Sequence, residues 1–147
     1  MKHLRKLQLI YWNIFKPKTF GVRAILIKEG EILLVKHSYI DKWYLPGGGM
    51  HKKEEPKEAL KRELREELGA EPTNFKLLGK YYNEQEGKKD TIFCYICANF
   101  ELGNIDNKEI RDMKFFPLNN LPKDTSPGSK KRILEYIKGH RNLEKSW

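Results

Sequence analysis

The stretch WYLPGGGMHKKEEPKEALKRELREELGAE, from Trp43 to Glu71, decides how the rest of the chain is interpreted. Three adjacent glycines lie near its start, and a run rich in glutamate, lysine and leucine follows. Pro56 suits the first turn of a helix, because a residue there needs no amide donor. The good helix formers after it, and Gly69 as a stop signal, predict a helix over residues 56–68.

This helix would carry three carboxylates on one face. At about 100° per residue, Glu63, Glu66 and Glu67 fall within an arc of roughly 100°. The leucines that would anchor the helix to a core occupy the adjoining face: Leu60, Leu64 and Leu68. Like charges at this spacing repel one another, so the sequence predicts a compensating partner. Clustered carboxylate oxygens are the ligands that hard cations prefer, and magnesium is usually completed by substrate phosphates.

The alternative interpretation is a charged surface helix surrounded by water. Two local features favour the metal site instead. The carboxylates share a face rather than alternating with lysines, and the helix follows PGGG, where backbone without side chains can approach a ligand closely.

The residues from Gly48 to Ala70 resemble the Nudix box, G-x5-E-x7-R-E-U-x-E-E-x-G-U, in which U is a bulky aliphatic residue. Glu54 follows Gly48 at the family's spacing, and every later polar and glycine position also matches: Arg62, Glu63, Glu66, Glu67 and Gly69. Only the last position departs from the pattern, because Ala70 is small. The strands expected before the box, LPGG at its entry and FFPLNNLP late in the chain are also similar to this family.

The resemblance implies a Nudix-type α/β/α sandwich, with a mixed β-sheet between helices. It also implies hydrolysis of the pyrophosphate bond in a nucleoside diphosphate linked to another moiety, with Mg²⁺ or Mn²⁺ as the cofactor. The products would be a nucleoside monophosphate and a second phosphorylated compound. Nucleoside triphosphates, nucleotide sugars, dinucleoside polyphosphates and ADP-ribose all contain the reacting unit, and the box does not choose among them.

The resemblance also assigns roles by position. The metal ligands would be the carbonyl of Gly47 and the side chains of Glu63, Glu66 and Glu67. Arg62 would hold the glutamates by ion pairs, and Glu54 would fix the loop. The predicted catalytic residues are Glu63, Glu66, Arg62 and Glu109.

The general base is either a box glutamate or a glutamate from a later loop, with Glu84, Glu86 and Glu109 as the candidates outside the box. We favour Glu109, because it shortly precedes the KFFPL segment.

The predicted substrate-binding residues are Arg23, which would meet a phosphate, and the aromatic residues Tyr39, Trp43 and Tyr82, which would stack on a base. Lys52 and Lys53 are interpreted as a solvated loop, with steering of an anionic substrate as the alternative. The histidines show no ligand spacing and are interpreted as ordinary surface or strand residues: His3, His37, His51 and His140.

The length and composition of the chain fit one domain over residues 1–147. The net charge of +9 predicts attraction to polyanions, so an RNA 5′-pyrophosphohydrolase is an alternative to an enzyme acting on a small nucleotide. A Nudix-fold nucleotide-binding module without turnover is a further alternative.

Cys94 and Cys97 lie three apart in a predicted strand, which indicates buried thiols on opposite faces and a reducing, cytoplasmic setting.

Residues 1–16 show apolar side chains at helical spacing, including Leu4 and Leu7. They predict an N-terminal amphipathic helix that ends before Pro17. Such a helix would pack on the domain or on a second subunit of a homodimer. Contact with a membrane surface is the alternative.

Overall fold

The computed structural model of the protein describes residues 3, 4, 6, 7, 18–38, 40–85, 87–103 and 109–147. In this part of the chain we number the helices and strands of the domain in chain order. They are β1 (Lys18–Lys28), β2 (Glu31–His37), β3 (Gly47–Gly49), α1 (Pro56–Leu68), β4 (Lys76–Gln85), β5 (Lys88–Cys97), β6 (Ile110–Pro117), α2 (Pro127–Ile137) and β7 (Leu143–Ser146).

The strands form one mixed sheet, in the order β6-β2-β1-β5-β4-β7. The pairs β1–β5 and β4–β7 are parallel, and the other pairs are antiparallel. β1 is shared by two antiparallel neighbours: its end pairs with β2, whereas its middle, over residues 21–23, pairs with β3. This division brings the glycine segment of the Nudix-like motif against the centre of the sheet.

Each face of the sheet packs against one helix, which confirms the predicted α/β/α sandwich. α1 lies on one face through three fully buried leucines: Leu60, Leu64 and Leu68. α2 packs on the other face through Ile133. Cys97 belongs to the core under α1 and Cys94 to the core under α2, as the two-residue period of a strand requires. Burial raises the pKa of the Cys94 thiol to about 12.

The ends of the elements follow local chemistry. β1 and β2 are joined by Glu29 and Gly30, both with positive φ, as a tight hairpin turn requires. α1 begins at Pro56 and ends at Gly69, whose φ of 59° lies in the left-handed region. Ser126 caps α2, because its side-chain oxygen accepts a hydrogen bond of 3.4 Å from the N–H of Ser129.

The buried Arg132 was not expected from the sequence. Its side chain is 1% exposed and its guanidinium lies between the rings of Tyr81 and Trp147, 4.0 and 4.6 Å from their centroids. Arg132 Nε also lies 2.8 Å from Glu135 Oε1, which compensates its charge. The short polar strand β7 gave no clear signal in the sequence. Its parallel pairing with β4 places Trp147, the residue after it, beside this arginine.

Four residues of the predicted N-terminal helix are described, and all four are helical. Leu4 and Leu7 are 68% and 62% exposed, so these two side chains do not pack on the domain. The remaining residues of the 1–16 segment lie outside the described part of the chain. Membrane contact, a homodimer and a single domain over 1–147 therefore stay predictions. Among the residues that are described, none of the helices is both long and apolar enough to cross a bilayer.

Candidate active site

The three glycines that precede α1 form a short strand, β3. Gly47 has a φ of 144°, and a Cβ at this position would lie 2.0 Å from the carbonyl oxygen of Val22. At Gly48, a Cβ would lie 2.6 Å from the carboxylate carbon of Glu63. The missing side chains therefore let the strand lie against β1 on one side and let a box carboxylate approach it on the other.

Arg62 connects the loop before α1 to the carboxylates on the helix. Its Nε and Nη2 donate to the two carboxylate oxygens of Glu54, at 2.9 and 3.0 Å. Its Nη1 donates to Glu63 Oε1 at 3.0 Å and makes a longer contact of 3.5 Å with Glu66 Oε2. Nη2 also donates to the carbonyl of Gly49 at 2.9 Å. The paired hydrogen bonds from Arg62 hold the pKa of Glu54 at about 2, so that this carboxylate stays charged.

Glu67 is the buried carboxylate of the box, with 5% of its surface exposed. Its Oε1 accepts a hydrogen bond of 2.8 Å from the N–H of Gly47. Burial raises the pKa of Glu67 to about 7, and the negative charges of Glu63 and Glu109 act in the same direction. The Gly47 hydrogen bond and the positive charge of Arg23 oppose this shift. The position thus favours a nearby cation, which would keep Glu67 ionised.

A pocket of about 350 Å³ lies between α1, β3 and the start of β6. Six residues that the sequence singled out line it: Arg23, Gly47, Glu63, Glu66, Glu67 and Glu109. Glu109 is distant in sequence from the box, and a hydrogen bond of 2.8 Å from the N–H of Ser38 to its carbonyl holds it beside β2. The structure therefore brings the favoured general-base candidate to the box glutamates.

The donors in this pocket fit a hard divalent cation. Four carboxylates and the backbone of Gly47 supply oxygen atoms only, the type of ligand that Mg²⁺ and Mn²⁺ prefer. Across the described part of the chain, no three acidic, histidine or cysteine side chains are already close enough together to form a ligand set. Glu63 and Glu66 each direct one oxygen to Arg62 instead. The types of ligand atom fit a divalent cation, and binding of the ion would draw the carboxylates together.

Two of the predicted substrate-binding residues are placed elsewhere. Trp43 is 7% exposed and packs edge-on against Phe116, with ring centroids 4.8 Å apart, so it is a core residue and we omit it from the proposed substrate site. Tyr82 lies on β4, where its hydroxyl donates to Glu144 of β7. Tyr39 and Glu86 lie outside the described residues, and Glu84 does not line the pocket.

The pocket also contains side chains that sequence reasoning did not assign to it. His37, Ile40 and Tyr44 line it beside the glutamates. Burial lowers the pKa of His37, and the positive charge of Arg23 acts in the same direction. His37 lies at the end of β2. The β-bridge between Val35 and Tyr44 places the rings of His37 and Tyr44 near the box. No local pattern in the sequence indicates this proximity, because it depends on the pairing of distant segments.

Replacing Arg62 by lysine should lower turnover about 10- to 100-fold, the usual effect of losing a residue that orients metal ligands. An ammonium group retains the charge but cannot bind both oxygens of Glu54 and also reach Glu63. Steady-state rates with saturating Mg²⁺ measure the effect. The matched control is Arg65→Lys on the same helix, since Arg65 pairs with the exposed Glu71 and is not among the described residues that line the pocket. Equal rates for the two variants would contradict the orienting role of Arg62.

The family model described as NUDIX domain matches residues 17–137. The chain therefore belongs to the NUDIX family, and the resemblance noted in the sequence is confirmed. The predicted class of enzyme, a Nudix hydrolase, agrees with this membership.

Similar curated proteins include the human diphosphoinositol polyphosphate phosphohydrolase 3-alpha, which is 38% identical over 94 residues. This alignment covers 60% of the chain and 57% of the human protein. An RNA pyrophosphohydrolase from Hydrogenovibrio crunogenus is 43% identical over 56 residues, which cover 38% of the chain and 34% of that protein. The chain thus spans about half or less of the length of these relatives.

Solved structures share the fold. A MutT NUDIX hydrolase from Burkholderia pseudomallei superposes with a TM-score of 0.73 at 24% identity, covering 80% of this chain and 97% of that one. A UDP-X diphosphatase gives a TM-score of 0.68 at 22% identity, covering 97% of this chain and 75% of that one. At these identities the agreement concerns the fold alone, and it confirms the mixed sheet between helices.

Proposed function

We propose that the protein is a metal-dependent pyrophosphohydrolase that cleaves the pyrophosphate bond of a nucleoside diphosphate linked to another moiety. One observation carries this proposal: Glu109 joins the three carboxylates of α1 and Arg23 in a single pocket. Four carboxylates in one pocket repel one another and favour a bound cation. Arg23 can donate charge-assisted hydrogen bonds to a phosphate group, which would then bind beside the carboxylates.

We assign the metal site to Glu63, Glu66, Glu67 and the carbonyl of Gly47, with Mg²⁺ or Mn²⁺ as the ion. When bound, such an ion would neutralise phosphate charge and lower the barrier to attack by water. Arg62 positions the first two carboxylates, and the N–H of Gly47 fixes the third. The other residues of the pocket would orient the substrate and accept a proton.

Glu109 is assigned as the general base and Arg23 as the phosphate ligand. Arg23 Nη1 donates to the carbonyl of Leu45 at 3.1 Å, which fixes the guanidinium at the pocket. In the reaction, the oxygen of a water molecule bonds to one phosphorus while Glu109 accepts its proton. The bond from this phosphorus to the bridging oxygen breaks, and the second phosphate group leaves with that oxygen. The products are a nucleoside monophosphate and a phosphorylated partner.

RNA with a 5′-terminal pyrophosphate unit is the second candidate substrate. The similarity to an RNA pyrophosphohydrolase and the net charge of +9 both favour it. The human relative that acts on diphosphoinositol polyphosphates supports a further version of the same chemistry, in which the pyrophosphate is carried by a phosphorylated ring rather than by a nucleoside. All three candidates require the same pocket and differ only in what lies beyond the pyrophosphate.

A substrate panel tests the proposal. The purified chain would be incubated with Mg²⁺ and with ADP-ribose, a nucleotide sugar, a dinucleoside polyphosphate, nucleoside triphosphates, a diphosphoinositol polyphosphate or a 5′-triphosphorylated RNA. Mass spectrometry in ¹⁸O-labelled water identifies the products and the phosphorus that gains oxygen. Cleavage of at least one pyrophosphate, abolished by a chelator, is the expected result. A chain that binds these compounds and hydrolyses none of them would be a binding module, which contradicts the proposal.

A further inference from the structure

A second depression, which we call the basic cleft, adjoins the pocket that holds the four glutamates. It has a volume of about 920 Å³ and lies between β1, β5 and the loop that leads into α1. Arg23, Gly48 and Gly49 line both depressions, so the two share a wall. Among the described residues, five cationic side chains line the cleft: Lys18, Arg23, Lys52, Lys53 and Lys88.

Two carboxylates among the described lining residues offset part of this charge. Glu54 is held by two hydrogen bonds from Arg62, which itself carries a positive charge. Asp90 Oδ1 accepts a hydrogen bond of 2.8 Å from Thr19 Oγ1. The lining therefore keeps an excess of positive charge directed at whatever enters the cleft.

Two lysines of the box loop, Lys52 and Lys53, line the basic cleft. Lys53 has a φ of 68°, a left-handed conformation that glycine or asparagine adopts at lower cost. Lys52 and Lys53 are exposed, and neither they nor Lys18 form an ion pair with any described residue. Because they have no ion-pair partner among the described residues, these lysines can interact with an anionic ligand in the cleft.

The shape of the basic cleft favours a small molecule over a nucleic acid. Its cations come from three separate segments and surround one volume, whereas nucleic acid binding is typical of a stripe of charge along one face. Its volume lies within the usual range for small-molecule sites. A compact molecule with several phosphate groups matches both the charge and the enclosure.

We propose that Lys18, Lys52 and Lys53 bind additional phosphate groups of a multiply phosphorylated small-molecule substrate. The pyrophosphate of this substrate reaches the glutamates across Gly48 and Gly49, beside Arg23. This inference rests on the proposed function and favours its third candidate, in which a phosphorylated ring carries the pyrophosphate. It replaces the interpretation of Lys52 and Lys53 as a solvated loop.

Binding of inositol hexakisphosphate tests the subsite independently of turnover, because this compound has six phosphates and no pyrophosphate bond. Titration calorimetry on the metal-free protein would compare the double variant Lys52→Ala/Lys53→Ala with Lys130→Ala/Lys131→Ala. The control removes the same charge from exposed positions on α2, outside both depressions. Loss of two phosphate contacts should weaken binding about 10-fold or more in the first variant, and about twofold or less in the second. Equal weakening in both variants overturns the proposal.

Rates then identify the kind of substrate. The ratio of kcat/KM for diphosphoinositol pentakisphosphate to that for ADP-ribose should fall about 10-fold in the Lys52→Ala/Lys53→Ala variant and stay constant in the control. An unchanged ratio, or a larger loss on a 5′-triphosphorylated RNA than on the small molecule, overturns the assignment. If the parent protein hydrolyses none of these compounds, the proposed function fails, and the calorimetry still decides the subsite.

Discussion

Glu67→Gln should lower turnover by at least about 100-fold at saturating Mg²⁺, the largest effect that we expect on activity. The substitution keeps the shape of the side chain but removes the negative charge that a bound cation needs at the buried end of the pocket. Glutamine retains an oxygen that can accept the hydrogen bond from the N–H of Gly47. The activity should therefore fall without a change in the position of β3. Initial rates and Mn²⁺ binding by calorimetry measure the two consequences.

The stability of the metal-free variant provides the control. The pKa of Glu67 is raised from the usual 4.5 to about 7, so the folded state holds a proton that the unfolded chain releases. This group makes the protein less stable as the pH rises from 4.5 to about 7, and glutamine lacks the effect. At pH 8 without metal, Glu67→Gln should be at least as stable as the parent protein. Full activity, or a large loss of stability, would contradict the assigned role.

Gly47→Ala should destabilise the protein by about 3 kcal/mol or more, the largest effect that we expect on stability. A Cβ would lie 2.0 Å from the carbonyl oxygen of Val22, which belongs to the backbone of a central strand and cannot move aside cheaply. The φ of 144° adds strain for any residue with a side chain. Separation of β3 from β1 would also remove the amide that binds Glu67. Urea denaturation followed by circular dichroism measures the loss.

Gly49→Ala is the matched control, two residues along the same strand. A Cβ on Gly49 would meet nothing within 4 Å, and its φ is not positive, so the unfolding free energy should change by about 0.5 kcal/mol or less. Gly49 lines both the glutamate pocket and the basic cleft, so the added methyl group should raise KM where the substrate crosses the backbone. Similar losses of stability in the two variants would contradict the geometry described for β3.

The box helix illustrates what sequence reasoning achieves. Pro56, the leucine stripe and Gly69 are local signals, and they predicted the start, the buried face and the end of α1. The shared face of the three glutamates followed from the same helical period. The helical period did not predict how unequally the three glutamates are buried, because the exposure of Glu67 depends on how closely β3 lies against β1.

The aromatic residues illustrate what such reasoning leaves undecided. Trp43 and Tyr82 had suitable chemistry for a nucleotide base, but chemistry alone does not indicate which face of the sheet a ring occupies. Trp43 packs in the core against Phe116, and Tyr82 binds Glu144 of a strand that the sequence did not reveal. His37 lines the pocket, yet its surroundings in the sequence resemble those of any strand end.

The sequence by itself determined the family, the mixed α/β architecture and the carboxylates of the box, because each is encoded within a few helical turns or strand residues. Only the tertiary structure decided that Glu109, Arg23 and His37 share one pocket with the box, and that Lys18 lies across a cleft from Lys52 and Lys53. These residues meet through the pairing of β1 with β3 and β5, and of β2 with β6. Strand pairing joins segments far apart in the chain, and no local spacing specifies which segments will meet.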